Sequence, residues 1–166
     1  VNERIQAIET RAYGCRFRSR LEARWSVFLT EAGFDWVYEP EGVELPSGRY
    51  LCDFRVKGPN GAVVWLEVKP KLETDPPDDP RWLELARSSG LMLFTVRGMH
   101  RTGDRCGTAH SARVFMPDGT VADVHRLWQG GRYDAAWDRA SGARFDGRDQ
   151  LKHPAGRGPG RKRRKT

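Results

Sequence analysis

At 166 residues and 38% hydrophobic content, the chain has room for one domain with a small core, and no apolar run approaches the ~18 residues of a membrane span. Three cysteines, Cys15, Cys52 and Cys106, form no CxxC pair, which argues against a disulfide framework and a tetrahedral zinc site and favours a reducing cytoplasm. The net charge of +7 is uneven: residues 1–151 carry equal numbers of acidic and basic side chains, and the whole surplus follows Leu151.

Val1-Asn2-Glu3-Arg4 lacks the basic-then-apolar layout of a secretory signal. Arg11 to Arg20 reads as a short basic lead-in. Leu21, Trp25, Phe28, Leu29 and Ala32 then fall on one face of an amphipathic helix starting at Ser19 and stopped by Gly33. Three strand-like runs follow. Phe34 to Leu45 is interrupted by Pro40 and Gly42, so it is expected to bend or bulge. Tyr50 to Lys57 and Val63 to Lys69 alternate as strands do, and Pro46-Ser47-Gly48 and Gly58 to Gly61 are turn signals, so the three runs predict an antiparallel meander.

Pro70 ends the third run, and 75–80 form a rigid acidic connection. Arg81 to Ser89 predicts a second helix with Gly90 as its stop, and Leu91 to Val96 a buried strand. Met99 to His110 reads as a loop. Arg113 to Met116 and Thr120 to Val124 flank Pro117-Asp118-Gly119 as a hairpin, and Tyr133 to Ala140 has helical spacing. The order is α-βββ-α-β plus a hairpin and a helix, an α/β chain with a mixed central sheet. The basic, Gly- and Pro-rich segment 151–166 predicts a disordered tail after a domain over 1–150. Its Arg161, Lys162, Arg163, Arg164 and Lys165 suit a polyanion.

The residues that carry chemistry lie on the second and third runs. If these pair about Pro59-Asn60, positions summing to about 119 or 120 face each other, and Asp53 sits beside Glu67. Lys69, two residues on, shares the Glu67 face. This face is expected to lie away from the apolar side of the sheet. Paired carboxylates about 5 Å apart repel without a cation and suit Mg²⁺, for which Mn²⁺ would substitute. The Val68 carbonyl is a candidate third metal ligand, and the Lys69 ammonium can orient water or offset charge on a phosphoryl group.

Glu22 has two readings that the residues leave open. It can support a metal from the edge of the first helix, or close the capping box Ser19-x-x-Glu22. Arg16, Arg18, Arg20 and Arg24 cluster at the same helix start and are candidates to hold phosphates, or form a solvated face. Lys71 follows the triplet into the expected substrate groove. Trp65 could stack on a base or pack under a helix. His100, Asp104, Cys106 and His110 fit no regular metal spacing.

Taken together, Glu22, Asp53 and Glu67-Val68-Lys69 resemble the signature of the PD-(D/E)xK nuclease superfamily. Phe17 to Trp25 is similar to phage-encoded members. Trp36-Val37-Tyr38-Glu39-Pro40 and Glu67-Val68-Lys69-Pro70 are similar both to these and to transposon end-cleaving endonucleases. The resemblance covers about residues 13 to 96, with Cys52 where the eponymous motif has Pro. It implies a restriction-endonuclease-like α-βββ-α-β core, a catalytic set Glu22, Asp53, Glu67 and Lys69, and metal held by Asp53, Glu67, Val68 and Glu22. The implied activity is Mg²⁺-dependent cleavage of DNA in the cytoplasm of a bacterial host, with no membrane partner. Two alternatives stand beside it: a structure-selective nuclease that resolves junctions as a homodimer, and a non-catalytic nucleic-acid-binding protein built on the same core.

Overall fold

A computed structural model of the chain describes residues 8–74, 76–99, 110–125, 127–128 and 130–145. The expected tail, and the loop residues His100, Asp104 and Cys106, lie outside them. The described elements are β1 (Thr10–Ala12), β2 (Cys15–Phe17), α1 (Arg20–Glu31), β3 (Asp35–Tyr38), β4 (Val43–Leu45), β5 (Gly48–Tyr50), β6 (Phe54–Lys57), β7 (Val63–Lys69), α2 (Pro80–Ser89), β8 (Leu93–Gly98), β9 (His110–Phe115), β10 (Val121–Val124) and α3 (Asp134–Gly142).

Six strands form one sheet in the order β10-β9-β8-β7-β6-β3. Only β7 and β8 run parallel, joined through α2, so the sheet is mixed. One face packs under α1 and α3, with Trp25, Phe28, Phe54, Leu66 and Trp137 at its centre. The other packs under α2, with Trp65, Trp82, Leu85, Leu93 and Phe115. The protein is thus mixed α/β, with a six-stranded sheet between helices. None of the described helices is long and apolar enough to cross a membrane.

Local chemistry explains most boundaries. Ser19 caps α1 by accepting from the Glu22 amide. Asp79 caps α2 and Pro80 occupies its first turn, where a missing N–H costs nothing. Gly90 ends α2 in the left-handed conformation that favours glycine.

Three expectations are corrected. The basic lead-in is a hairpin: Tyr13 and Gly14 both have positive φ between Ala12 and its partner Cys15, the geometry of a tight two-residue turn. It points Phe17 into the core, its ring centroid 4.5 Å from that of Tyr38. Phe34 to Leu45 is not one bent strand. Around Pro40 and Gly42 it leaves the main sheet, and β4 pairs with β5 in a separate two-stranded sheet. Tyr50 to Lys57 is likewise two strands. Between β5 and β6 the chain runs irregularly through Leu51–Asp53, and Cys52, Asp53 and Phe54 are all buried. Strict alternation fails there, so Tyr50 and Cys52 join the α2 side of the core while Phe54 and Val56 join the α1 side.

Candidate active site

The Gly58–Gly61 turn sets the β6–β7 register. Phe54 faces Leu66 and Arg55 faces Trp65, and the same register carried one step on brings Asp53 to Glu67. The contacts are direct. The Asp53 amide donates to Glu67 Oε2 at 3.3 Å, and the Val68 amide donates to Asp53 Oδ2 at 2.8 Å. Lys69 Nζ donates to Glu67 Oε1 at 2.6 Å. In an extended strand the N–H and C=O of one residue point to the same neighbour. The Val68 carbonyl therefore lies on the Asp53 side.

These carboxylates do not sit on an open polar face. Asp53 is 7% exposed and Glu67 3%. The face that carries Glu67 is roofed by α2, because Trp82, Leu85 and Ala86 place an apolar stripe on that helix. The same roof decides the role of Trp65. Its Nε1 donates to Ser89 Oγ in α2 at 2.9 Å, so Trp65 packs under a helix.

Burial, and then the adjacent Glu67 charge, push the Asp53 carboxyl up to about 7, against the opposing pull of the Val68 amide and Lys69. For Lys69, burial works to lower the ammonium's affinity for its proton, but the Glu67 and Asp53 carboxylates outweigh it and the net shift is upward. Burial and the same carboxylates raise the Cys52 thiol, which is enclosed and donates to the Leu66 carbonyl at 3.4 Å. It is a packed thiol rather than a nucleophile.

Glu22 is held by the fold. Ser19 Oγ donates to its Oε1 at 2.8 Å, and the Arg18 amide and Tyr38 Oη donate to its Oε2 at 3.1 and 2.5 Å. The capping box is thus formed, with the Arg18 amide in place of the cap's own. Glu22 still acts on the site through its charge, which adds to the upward push on Asp53. Burial and the Glu22 bond also drive the Tyr38 hydroxyl upward, so it remains a donor. Tyr38→Phe is expected to lower stability by about 1–2 kcal/mol, since it deletes a bond to a charged acceptor. Urea unfolding checks this, and an unchanged midpoint would show that the two remaining donors suffice for Glu22.

Among the described residues no group of three or more His, Cys, Asp or Glu is placed to hold a metal. The available set is Asp53, Glu67 and the Val68 carbonyl. All three donors are oxygens, and two buried acids share one ammonium. That chemistry fits a hard divalent cation that keeps several waters.

The basic residues are less concentrated on the site. Arg16 pairs with Glu9 and Arg18 with Glu39, both at 2.5 Å, and each arginine remains about two-thirds exposed. Arg20 and Lys71 are exposed, and Arg24 is half-buried with an Nε that lacks a hydrogen-bond partner. Arg161 to Lys165 lie outside the described residues, as does the His110 side chain.

Sequence reasoning missed the supports around Glu67. Trp82 Nε1 donates to Tyr50 Oη at 3.0 Å, so the Tyr50 proton is directed elsewhere, and burial and Glu67 raise its hydroxyl. No single motif marks this arrangement, because β5 and α2 meet only in the fold. Comparisons with protein-family models, curated proteins and solved structures find no match for this chain.

Proposed function

We propose that the chain is a metal-dependent nuclease of the PD-(D/E)xK superfamily that hydrolyses phosphodiester bonds in DNA. The observation that carries this reading is the Asp53–Glu67 pair on adjacent strands, with Lys69 Nζ 2.6 Å from Glu67 Oε1. The element order around it supports the same reading. Passing over the β4–β5 hairpin, α1-β3-β6-β7-α2-β8 corresponds to the α-βββ-α-β core of that superfamily.

Asp53 and Glu67 would hold Mg²⁺, with the Val68 carbonyl as a third donor. When bound, the ion supplies Lewis acidity at a phosphoryl oxygen and acidifies water. The protein's own groups do the rest. Val68 N–H fixes one Asp53 oxygen, leaving the other to bind. Lys69 keeps its proton at neutral pH, because two carboxylates raise its affinity for it. Its role is therefore that of a cation, orienting the attacking water and offsetting charge on the phosphoryl oxygens, rather than of a free-amine base. Glu22, anchored by Ser19, Arg18 and Tyr38, adds fixed negative charge that favours a cation at Asp53. α2 excludes bulk water and so strengthens each of these interactions.

The test is cleavage of supercoiled plasmid in Mg²⁺, Mn²⁺ or EDTA, with Lys69→Ala beside wild type. Nicking or linearisation with either metal, none in EDTA, and a loss of at least ~10²-fold in the variant are expected. Undiminished cleavage by Lys69→Ala would sink the assignment.

A further inference from the structure

On the sheet face that packs under α1 and α3, the β6–β7 turn and the segment leading into α3 enclose a pocket of about 370 Å³. Val56, Val64 and Phe94 line it from the sheet, and Phe34, Trp128 and Tyr133 from the segments around it. Pockets that hold a small organic ligand begin at about 300 Å³, so this one has room for one compact molecule. Aromatic rings dominate the lining. The Phe34 centroid lies 5.1 Å from that of Trp128 and 6.3 Å from that of Tyr133, and Phe94 lies 6.2 Å from Trp128. A ring inserted between two others needs about 7 Å, twice the ~3.5 Å contact distance, so a ligand lies against these rings rather than between them. Trp128 is held in place with φ 50, a conformation that bulky residues rarely adopt. Its carbonyl accepts from Trp137 Nε1 at 2.7 Å, which fixes the backbone while the ring stays half-buried.

The polar groups at the pocket are few, and its charge has one sign. Arg132 is the one charged residue among the described residues that line it. Its guanidinium lies over the Tyr133 ring, 4.5 Å from the centroid, and donates to the neutral Tyr133 Oη. No described carboxylate pairs with it. Asn60 Oδ1 accepts from the Ala62 amide at 3.1 Å, and the Asn60 side-chain nitrogen donates to no described residue. Flat apolar walls, an amide donor and a single cation suit a ligand with a planar ring, acceptors on the ring edge and an anionic group. Aromatic side chains stack on any base, and the guanidinium fork matches phosphate oxygens.

We propose that this pocket binds a free mononucleotide, with the base against Phe34, Trp128 and Tyr133 and the phosphate on Arg132. The site is separate from the carboxylates and does not rest on the nuclease reading. Val56, Val64 and Phe94 belong to the α1 side of the sheet, whereas Glu67 shares the α2 side with Trp65. Phe34 follows the end of α1 and Glu22 lies in its first turn, about 15 Å away along the helix. A strand seated on the carboxylates reaches the pocket only by passing around the sheet. That separation favours a free nucleotide over one still linked in a chain.

The test is equilibrium dialysis of the full chain against adenosine monophosphate, adenosine and ribose 5-phosphate. EDTA is present, so that no metal at Asp53 and Glu67 holds the phosphate. Adenosine monophosphate is expected to bind saturably at one site. Adenosine, without the anion, and ribose 5-phosphate, without the base, should each bind at least about 10-fold more weakly. Arg132→Gln, at an exposed position, should lower affinity for adenosine monophosphate about 10-fold and leave that for adenosine within about twofold. Retained adenosine binding shows that the variant's pocket is intact, so the loss cannot come from misfolding. No saturable binding by wild type, or equal loss of both ligands in Arg132→Gln, would overturn the proposal. Ribose 5-phosphate binding as tightly as adenosine monophosphate would also overturn it, since the rings would then contribute nothing. Tighter binding of a short oligoadenylate than of adenosine monophosphate would overturn it as well, by assigning the pocket to a linked strand.

Discussion

Asp53→Asn is expected to abolish cleavage, by at least ~10³-fold, and at the same time to raise the melting temperature at pH 8 in EDTA. The gain in stability follows from the raised proton affinity of Asp53. Burial and Glu67 lift this carboxyl to about 7, well above an ordinary aspartate. An acid with a raised folded-state pKa binds its proton more tightly when folded. It stabilises the fold below about pH 4, and that contribution is lost as pH rises through about 7. At pH 8 the wild type therefore folds with two desolvated carboxylates charged side by side. Asparagine keeps an oxygen for the Val68 amide and removes one charge. A tenfold change in proton affinity corresponds to about 1.4 kcal/mol, and Lys69 already offsets part of the repulsion. A gain of about 2 kcal/mol, or ~4–8 °C, is the expected size. Added Mg²⁺ should raise the wild-type melting temperature by mass action and leave Asp53→Asn unmoved. A lower melting temperature for Asp53→Asn at pH 8 would show instead that the carboxylate is a structural partner of Lys69. The metal reading would lose its main support.

The β6–β7 pair was legible because its cause is local. Gly61 takes a positive φ, the Gly61 amide donates to Gly58 O at 2.9 Å, and the Gly58 amide donates to Ala62 O at 2.8 Å. A turn that tight leaves one register, and the register determines the partner of Asp53. The capping box was legible for the same reason, since Ser19 and Glu22 are three residues apart. What could not be read depends on distant segments. Alternation shows that Trp65 and Glu67 share a face, but not that α2 returns to cover it. The break at Leu51–Asp53 arises because β5 is taken by β4, a pairing no local pattern announces. The lead-in looked basic because its charged residues, Arg11, Arg16, Arg18 and Arg20, are exposed and its inward residues carry no charge. Phe17, which anchors it, shows its role only against Tyr38, Trp36 and Phe54. Arg97 and Arg113 are single basic residues in separate strands, and only the β8–β9 register brings them to one face of the sheet.

Trp137→Ala tests whether α3 is part of the core that holds the site or an attachment to it. Trp137 is fully buried, and its ring stacks on Phe28 with centroids 3.7 Å apart and planes 18° from parallel. Its edge meets Trp25 at 5.1 Å, and its Nε1 donates to the Trp128 carbonyl at 2.7 Å. Truncation removes the ring contacts of α3 with Trp25 and Phe28 of α1 and is expected to leave a cavity there. A loss of about 3–5 kcal/mol is expected, a large share of the ~5–15 kcal/mol of a typical domain. The melting temperature should fall by ~6–20 °C, while Arg139→Ala, exposed on the same helix, should change stability by less than about 0.5 kcal/mol. The consequence reaches the carboxylates through α1. That helix carries Glu22 at its start and shows Trp25 and Phe28 to α3, so its outer surface is apolar without that cover. A chain cut after Gly98 retains Asp53, Glu67 and Lys69 and exposes those rings. It is expected to aggregate rather than cleave DNA. A loss below about 1 kcal/mol in Trp137→Ala would instead mean that α1 is seated by the sheet alone. The chemistry of the site would then be separable from everything after β8.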